Sequence, residues 1–346
     1  MDGYAEIVSE AEFGIARAIG VPINRIILNG PYKPDALIAE VICGRGIVNI
    51  DSFSEAVRIV NVIKATSVKN CEIGIRCNFK INERESRFGI PVNSEDFYAT
   101  LKLLADNNIK IKCLHCHIKG RTVSDWEVKS KKMIEIYHSI NNICAKHLIL
   151  DLGGGLPALI NEDTQEELLN EYAEAIGGEF QRAFGDKGPI LCLEPGTALA
   201  APCMSLVTSV VDKKRLNDKE FISLMASTQN ISRSKGKYTH YIQVIHQEKG
   251  FTSNSNHNTP SVLCGYTCLE DDIFCELNEP INIGDIIVFK NIGAYSIVNK
   301  PPFIMPNFPI IEFDNSSNTS RLIRSAETIS VFCTDEELKL FHTESE

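Results

Sequence analysis

The sequence predicts an α/β fold, a TIM-like (β/α) barrel of which seven of the eight units are readable, followed by an all-β sandwich or barrel domain. Three observations carry that reading. Up to about residue 197, seven short apolar runs alternate with helix-like segments. After Pro202 the helical periodicity stops, and strand-like runs separated by turn-rich stretches take over. Polar and glycine-rich stretches close several of the early runs, at the strand ends where such barrels place their chemistry.

Taken in order, the apolar runs are AEIVS, RIILN, GIVNI, CEIGIRCNF, IKCLHCHI, HLILDLGGG and PILCLEPG. The segments between them repeat apolar residues at helical spacing. In SEDFYATLKLLADNN, Ser94 is a natural N-cap, and Phe97, Leu101 and Leu104 mark one face. No dinucleotide-type glycine fingerprint follows the first run, which argues against an open doubly wound sheet. The later runs are SLVTSVVD, EFISLMAST, HYIQVI, PSVLCG, DIIVFKNIGAYSIV and RLIRSAETISVF, with TSNSNHNTP and DNSSNTS as surface turns. The expected division is therefore 1–198 for the barrel and 199–346 for the β-domain.

Composition narrows the function. Lys and Arg total 35 against 45 Asp and Glu, a net charge of −10, and no basic cluster is long enough to track phosphates, so nucleic acid is excluded as a partner. No run approaches the about 20 apolar residues of a membrane span, and the first twenty residues do not resemble a signal peptide. Twelve scattered cysteines fit reduced thiols in a cytoplasm.

The densest chemistry is KCLHCHIKG, Lys112 to Gly120. On a strand, Cys113, His115 and His117 share one face while Leu114, Cys116 and Ile118 share the other. Zinc spacings need a turn between paired ligands or a distant second pair, and neither is present, so no metal site is expected. DLGGGLP, Asp151 to Pro157, ends a strand with three glycines that let backbone N–H groups approach an anion. LEPGTALAAP places Glu194 at the barrel mouth. GYTCLEDD and GDIIVFKNIGAYS put Cys268 and Tyr295 at turns of the β-domain.

Together VSEAEF, SRFGI, HCHIKG, LDLGGGLP, LEPG, GYTCLEDD and GAY resemble the fold-type III pyridoxal-phosphate decarboxylases, the group that includes diaminopimelate, ornithine and arginine decarboxylases. The resemblance implies pyridoxal 5′-phosphate as cofactor, an amino acid as substrate, loss of CO2 as reaction, and a homodimer with the active site shared between subunits. It places His117 on the pyridine ring, with His115 as companion. It assigns Gly153, Gly154 and Gly155 to the phosphate and Glu194 to the pyridine nitrogen. Gly196 and Thr197 join the cofactor-binding residues, Tyr295 becomes a phosphate ligand, and Cys268 becomes the proton donor delivered from the partner subunit.

Departures from the pattern carry expectations of their own. The lysine that holds the cofactor covalently, within a sequence like Y-A-x-K-A on the first barrel strand, has no counterpart here, so the chain reads as beginning at strand two. Lys119 stands at a different strand end. Thr197 replaces the arginine of E-P-G-R, which lowers the expected phosphate affinity, since a hydroxyl brings no charge. HIKG replaces H-x-G-S. Leu269 stands where an acid reads the distal amine of diamino acids, with Glu270 and Asp271 as neighbours. The alternative reading is an inactive homologue that serves as a binding or regulatory protein.

Overall fold

The computed structural model describes residues 3–66, 68–158, 162–231, 242–247 and 260–342. They form two compact units, Met1–Ala198 and Leu199–Glu346.

The first unit is a curled parallel half-barrel. Its strands are β1 (Ala5–Ile7), β2 (Ile26–Leu28), β3 (Ile47–Ile50), β4 (Glu72–Asn78), β5 (Ile90–Pro91), β6 (Lys110–His115), β7 (Cys144–Asp151) and β8 (Ile190–Cys192). Pairing follows β1-β2-β3-β4-β6-β7-β8, all parallel, with β5 beside β4. The seven apolar runs are the seven strands of that path. β5 has two residues and no apolar run of its own, so hydrophobic periodicity carries no sign of it.

Alternation along the strands builds two apolar layers. Ile26, Leu28, Val48, Ile50, Leu114, Cys116, Leu148 and Leu150 point outward into the core beneath the helices. Ile27, Ile47, Cys113 and Ile149 point inward and plug the curl. A parallel strand covered on both faces is apolar along its whole length, as these runs are. The inward positions one step further along, Asn49, His115 and Asp151, are polar and buried. The site is built there.

The helices are α1 (Glu10–Ala18), α2 (Asp35–Cys43), α3 (Phe53–Thr66), α4 (Glu95–Asp106), α5 (Val123–Ile140), α6 (Glu162–Ala173) and α7 (Glu179–Phe184), the last two joined through a π-turn at Glu174–Gly178. Ser94 caps α4 by accepting from the Phe97 N–H at 3.1 Å, and Phe97 and Leu104 are buried with Leu101 packed beside them. Thr122 and Asp125 form a reciprocal capping box at the start of α5.

The second unit is mostly β. It contains β9 (Leu206–Leu216), β10 (Lys219–Leu224), β11 (Ile242–Ile245), β12 (Ser261–Cys264), β13 (Ile273–Leu277) and β14 (Ile286–Phe289) in one sheet of order β11-β14-β9-β10-β12-β13. A separate hairpin pairs β15 (Ile310–Asp314) with β16 (Thr319–Arg324). DNSSNTS is its turn, where the Asp314 carboxylate accepts from the hydroxyls of Ser316 and Ser317, each at 2.7 Å. TSNSNHNTP, apart from Pro260, lies outside the described residues. Not every pair is antiparallel: β10 runs parallel to β12, which the long excursion between them permits. Two apolar runs are shorter as strands than as sequence, since the chain turns after Phe289 and again after Arg324. Ile222, Leu263, Ile287 and Phe289 centre the core, and Phe274 stacks on Phe289 with centroids 4.5 Å apart. Among the described residues no helix is long and apolar enough to cross a membrane.

Candidate active site

Each of the seven strands on the main path contributes a polar group at or near its carboxyl end, on the inner side. Glu6 comes from β1, Asn29 follows β2, Asn49 lies on β3, Arg76 on β4, His115 ends β6, Asp151 ends β7, and Glu194 follows β8. Strand register brings them together, because Arg76 pairs with His115 and His115 with Asp151. His117 lies two residues beyond β6, where the Cys116 N–H still bonds the Asp151 carbonyl at 2.9 Å.

Glu194 is the centre. Its Oε2 lies 3.2 Å from His117 Nδ1, and its Oε1 accepts from Asn29 Nδ2 at 3.1 Å. Asn29 also donates to Glu6 Oε1 at 3.0 Å, and its own oxygen accepts from Asn49 Nδ2 at 2.8 Å. His115 Nε2 sits 3.3 Å from Glu194 Oε1 but out of line for a hydrogen bond, so both ring nitrogens of this buried imidazole lack a partner. Gly74 makes room for Asn49, since a Cβ there would stand 1.6 Å from its Oδ1.

Three carboxyl groups share this mouth, and their charges repel. Burial works against ionisation of Glu194, but the His117 contact and the closeness of the His115 imidazole outweigh it and hold its carboxyl far below the usual carboxylate range. Asp151 moves the other way, pushed up to about 6 by burial, with the Glu194 charge adding to the shift. Glu6 is also pushed up, first by burial and then by Glu194. It lies on an exposed edge strand where water screens the repulsion, so its shift weighs less than that of the buried Asp151. Of the two buried carboxyls, Glu194 therefore carries its charge first, and Asp151 keeps its proton up to about 6.

The glycine run is held beside this centre. Gly153 has φ +66° and Gly155 φ +111°, both left-handed. A Cβ on Gly153 would meet the Cys116 carbonyl at 2.3 Å, and one on Gly154 the Glu194 carbonyl at 2.7 Å. The Gly153 N–H donates to Asp151 Oδ1 at 2.9 Å, the Gly153 carbonyl accepts from the Glu194 N–H at 3.0 Å, and the Gly154 N–H points at His117 Nδ1 at 3.4 Å. Gly196 and half-buried Thr197 open a short helical turn next to Glu194, whose carbonyl accepts the Gly196 N–H at 2.8 Å.

Cys268 and Tyr295 belong to the second unit. Cys268 is exposed in the turn between β12 and β13. That turn is organised by Asp272, which accepts from the Thr267, Thr228 and Ser227 hydroxyls at 2.6, 2.8 and 3.1 Å. Burial of Asp272 opposes its charge, yet these donors hold its carboxyl below the usual value. Tyr295 is 56% exposed and has φ +63°, a strained backbone for a tyrosine.

Sequence reading named His117, the glycines and Glu194, and these converge. It missed Glu6, Asn29, Asn49 and Asp151. Their signal is a polar residue closing an apolar run, as in RIILNG and GIVNID. The spacing within KCLHCHIKG points away from a metal, but the fold adds Glu194 to it, so that one ligand-type atom each from His115, His117 and Glu194 lies within 4.8 Å of the others.

This donor set suits pyridoxal phosphate. A carboxylate held ionised between imidazoles can keep a pyridine nitrogen protonated. The buried, partnerless nitrogens of His115 and Oδ2 of Asp151 need a polar group in the mouth, and the glycine cradle admits no side chain.

Comparison with known proteins agrees. The family described as "Pyridoxal-dependent decarboxylase, pyridoxal binding domain" matches residues 4–201. The diaminopimelate decarboxylase of Methanocaldococcus jannaschii is 24% identical over 311 residues, covering 85% of this chain and 69% of that protein. The Helicobacter pylori diaminopimelate decarboxylase is 27% identical over 355 residues, covering 95% and 82%. In fold, the crystal structure of the M. jannaschii enzyme superposes with a TM-score of 0.81 at 22% identity, over 96% of this chain and 79% of that one. The arginine decarboxylase of Paramecium bursaria Chlorella virus superposes with a TM-score of 0.71 at 22% identity, over 88% and 81%. With more than half its length matched by the family and the mouth of its half-barrel furnished for the cofactor, the chain belongs to the pyridoxal-dependent decarboxylases.

Proposed function

We propose that this chain decarboxylates an amino acid with pyridoxal phosphate, as a cytoplasmic homodimer. The observation that carries the reading is Glu194, kept anionic at the centre of the mouth by His115, His117 and Asn29. When bound, the cofactor supplies a protonated pyridine ring that draws electrons away from the substrate α-carbon as CO2 departs. Glu194 would hold the proton on the ring nitrogen. His117, with 47% of its side chain exposed, offers an imidazole face for stacking. Backbone N–H groups of Gly153, Gly154 and Gly155 would hold the phosphate together with Gly196 and the Thr197 hydroxyl, and the resemblance adds Tyr295 as a further phosphate ligand. Cys268 carries on its Sγ the proton that takes the place of the carboxyl group.

Diaminopimelate is the first substrate to test, since that is the name the curated relatives carry. The Helicobacter pylori enzyme has also been crystallised with L-lysine. Leu269 is apolar where a distal amine needs a charge, and exposed Glu270 and Asp271 beside it supply one. The experiment is to titrate the purified chain with pyridoxal phosphate by absorbance, then assay CO2 release from diaminopimelate, lysine, ornithine and arginine. Saturable binding with CO2 from one of them is expected. Absence of binding overturns the reading, and binding without CO2 from any leaves the non-catalytic binding protein.

A further inference from the structure

Two lysines of the half-barrel are completely buried, and they differ in one respect. Lys33 Nζ bonds Glu55 Oε2 at 2.7 Å and the Gly30 carbonyl at 2.6 Å, an ordinary satisfied ion pair. Lys129, on α5, has no such partner. Its Nζ lies 3.6 Å from the centroid of the Trp126 ring and 3.3 Å from the Gly154 carbonyl, and among the described residues no carboxylate forms an ion pair with it. The acid nearest along its own helix is already used, because Asp125 accepts from Arg84 and Asn82, each at 2.8 Å. Glu194 is likewise held by the two histidines.

An unpaired ammonium in an apolar interior is costly, and replacing it with an apolar side chain ordinarily stabilises a protein. Burial lowers the pKa of Lys129, while the carboxylates of Glu194, Asp125 and Asp151 favour its charged form. The charge stands directly behind the glycine run. A trans peptide sets its N–H opposite its C=O, so the ammonium on the Gly154 carbonyl backs the N–H of Gly155. That contact strengthens the N–H as a donor and places a positive charge behind it, as a helix N-terminus would.

We propose that Lys129 is a positioning residue for the cofactor phosphate, a buried cation that acts through the Gly154–Gly155 peptide and replaces the charge lost where Thr197 stands in E-P-G-T. This rests on the cofactor reading above. It also corrects the expectation, drawn from Thr197 alone, that the phosphate site carries less positive charge.

Trp126 is the single tryptophan of the chain and lies against Lys129, so its fluorescence reports on this site. The test titrates the full chain and Lys129→Met with pyridoxal phosphate, pyridoxal and inorganic phosphate, and records thermal unfolding of both without ligand. Removing the cation should weaken pyridoxal phosphate and inorganic phosphate by about tenfold, leave pyridoxal within twofold, and raise the ligand-free Tm by about 2 °C or more. Equal weakening of pyridoxal, unchanged phosphate affinity, or a variant that unfolds earlier or does not fold would each assign Lys129 a structural role and overturn the proposal. If the unaltered chain binds no pyridoxal phosphate, the cofactor reading fails instead.

Discussion

At the scale of single residues, two buried carboxyls compete for charge in the mouth of the half-barrel. Glu194 wins because two imidazoles and an amide surround it, and Asp151, wholly buried, keeps its proton up to about 6. A carboxyl whose pKa is raised on folding favours the folded state most below its ordinary value of 3.8 and loses that advantage as pH climbs toward about 6. Asp151→Asn keeps an oxygen for the Gly153 N–H and removes the titration. Between pH 5 and pH 7 the unaltered chain should lose about 1 kcal/mol of stability that the variant does not lose, read from urea midpoints at both pH values. A parallel decline in both proteins would place the raised pKa elsewhere. Cys268 tests the proton delivery. With its thiol removed in Cys268→Ala, CO2 release should fall by roughly 10²-fold or more, or yield abnormal products, while pyridoxal phosphate affinity stays unchanged. An unaltered rate and product would remove Cys268 from the chemistry.

At the scale of elements, the strand-to-helix turn after β7 shows why a glycine run is needed. Gly154 has no room for a methyl group, because the nearest atom is the Glu194 backbone carbonyl, which cannot rotate away as a side chain does. Gly154→Ala should therefore lower stability by about 1–3 kcal/mol and weaken pyridoxal phosphate at least as much as pyridoxal, measured by thermal unfolding and ligand titration. If the variant binds the cofactor normally, the turn is less tightly packed than these distances state. The same turn was legible in the sequence as DLGGGLP, since three consecutive glycines have few structural uses. By contrast, β5 was not legible, because two residues cannot display a period.

Across the whole half-barrel, the described sheet runs from β1 to β8 without pairing the two to each other. Both edges are three residues long, and Ile190 on β8 is 49% exposed. Open edges with apolar side chains recruit other chains. The 346-residue chain should show light scattering that grows with concentration, and Ile190→Lys should reduce it, because an edge lysine discourages pairing. Scattering that the lysine leaves untouched would show that association, if present, uses another surface.

The sequence by itself determined the parallel half-barrel and the mostly-β unit after it, because a strand buried on both faces and a helix with one apolar stripe each leave a local pattern. It also marked His117, the glycine run and Glu194, since these stand in short contiguous motifs. Tertiary structure alone decided the rest. Asn29, Asn49 and Asp151 come from separate strands and matter only because parallel register brings their inward positions to one level. Lys129 illustrates the reason most plainly. In α5 it reads as one more lysine among VKSKK, and only the packing of that helix beneath the Gly154 turn makes it a buried, unpaired charge.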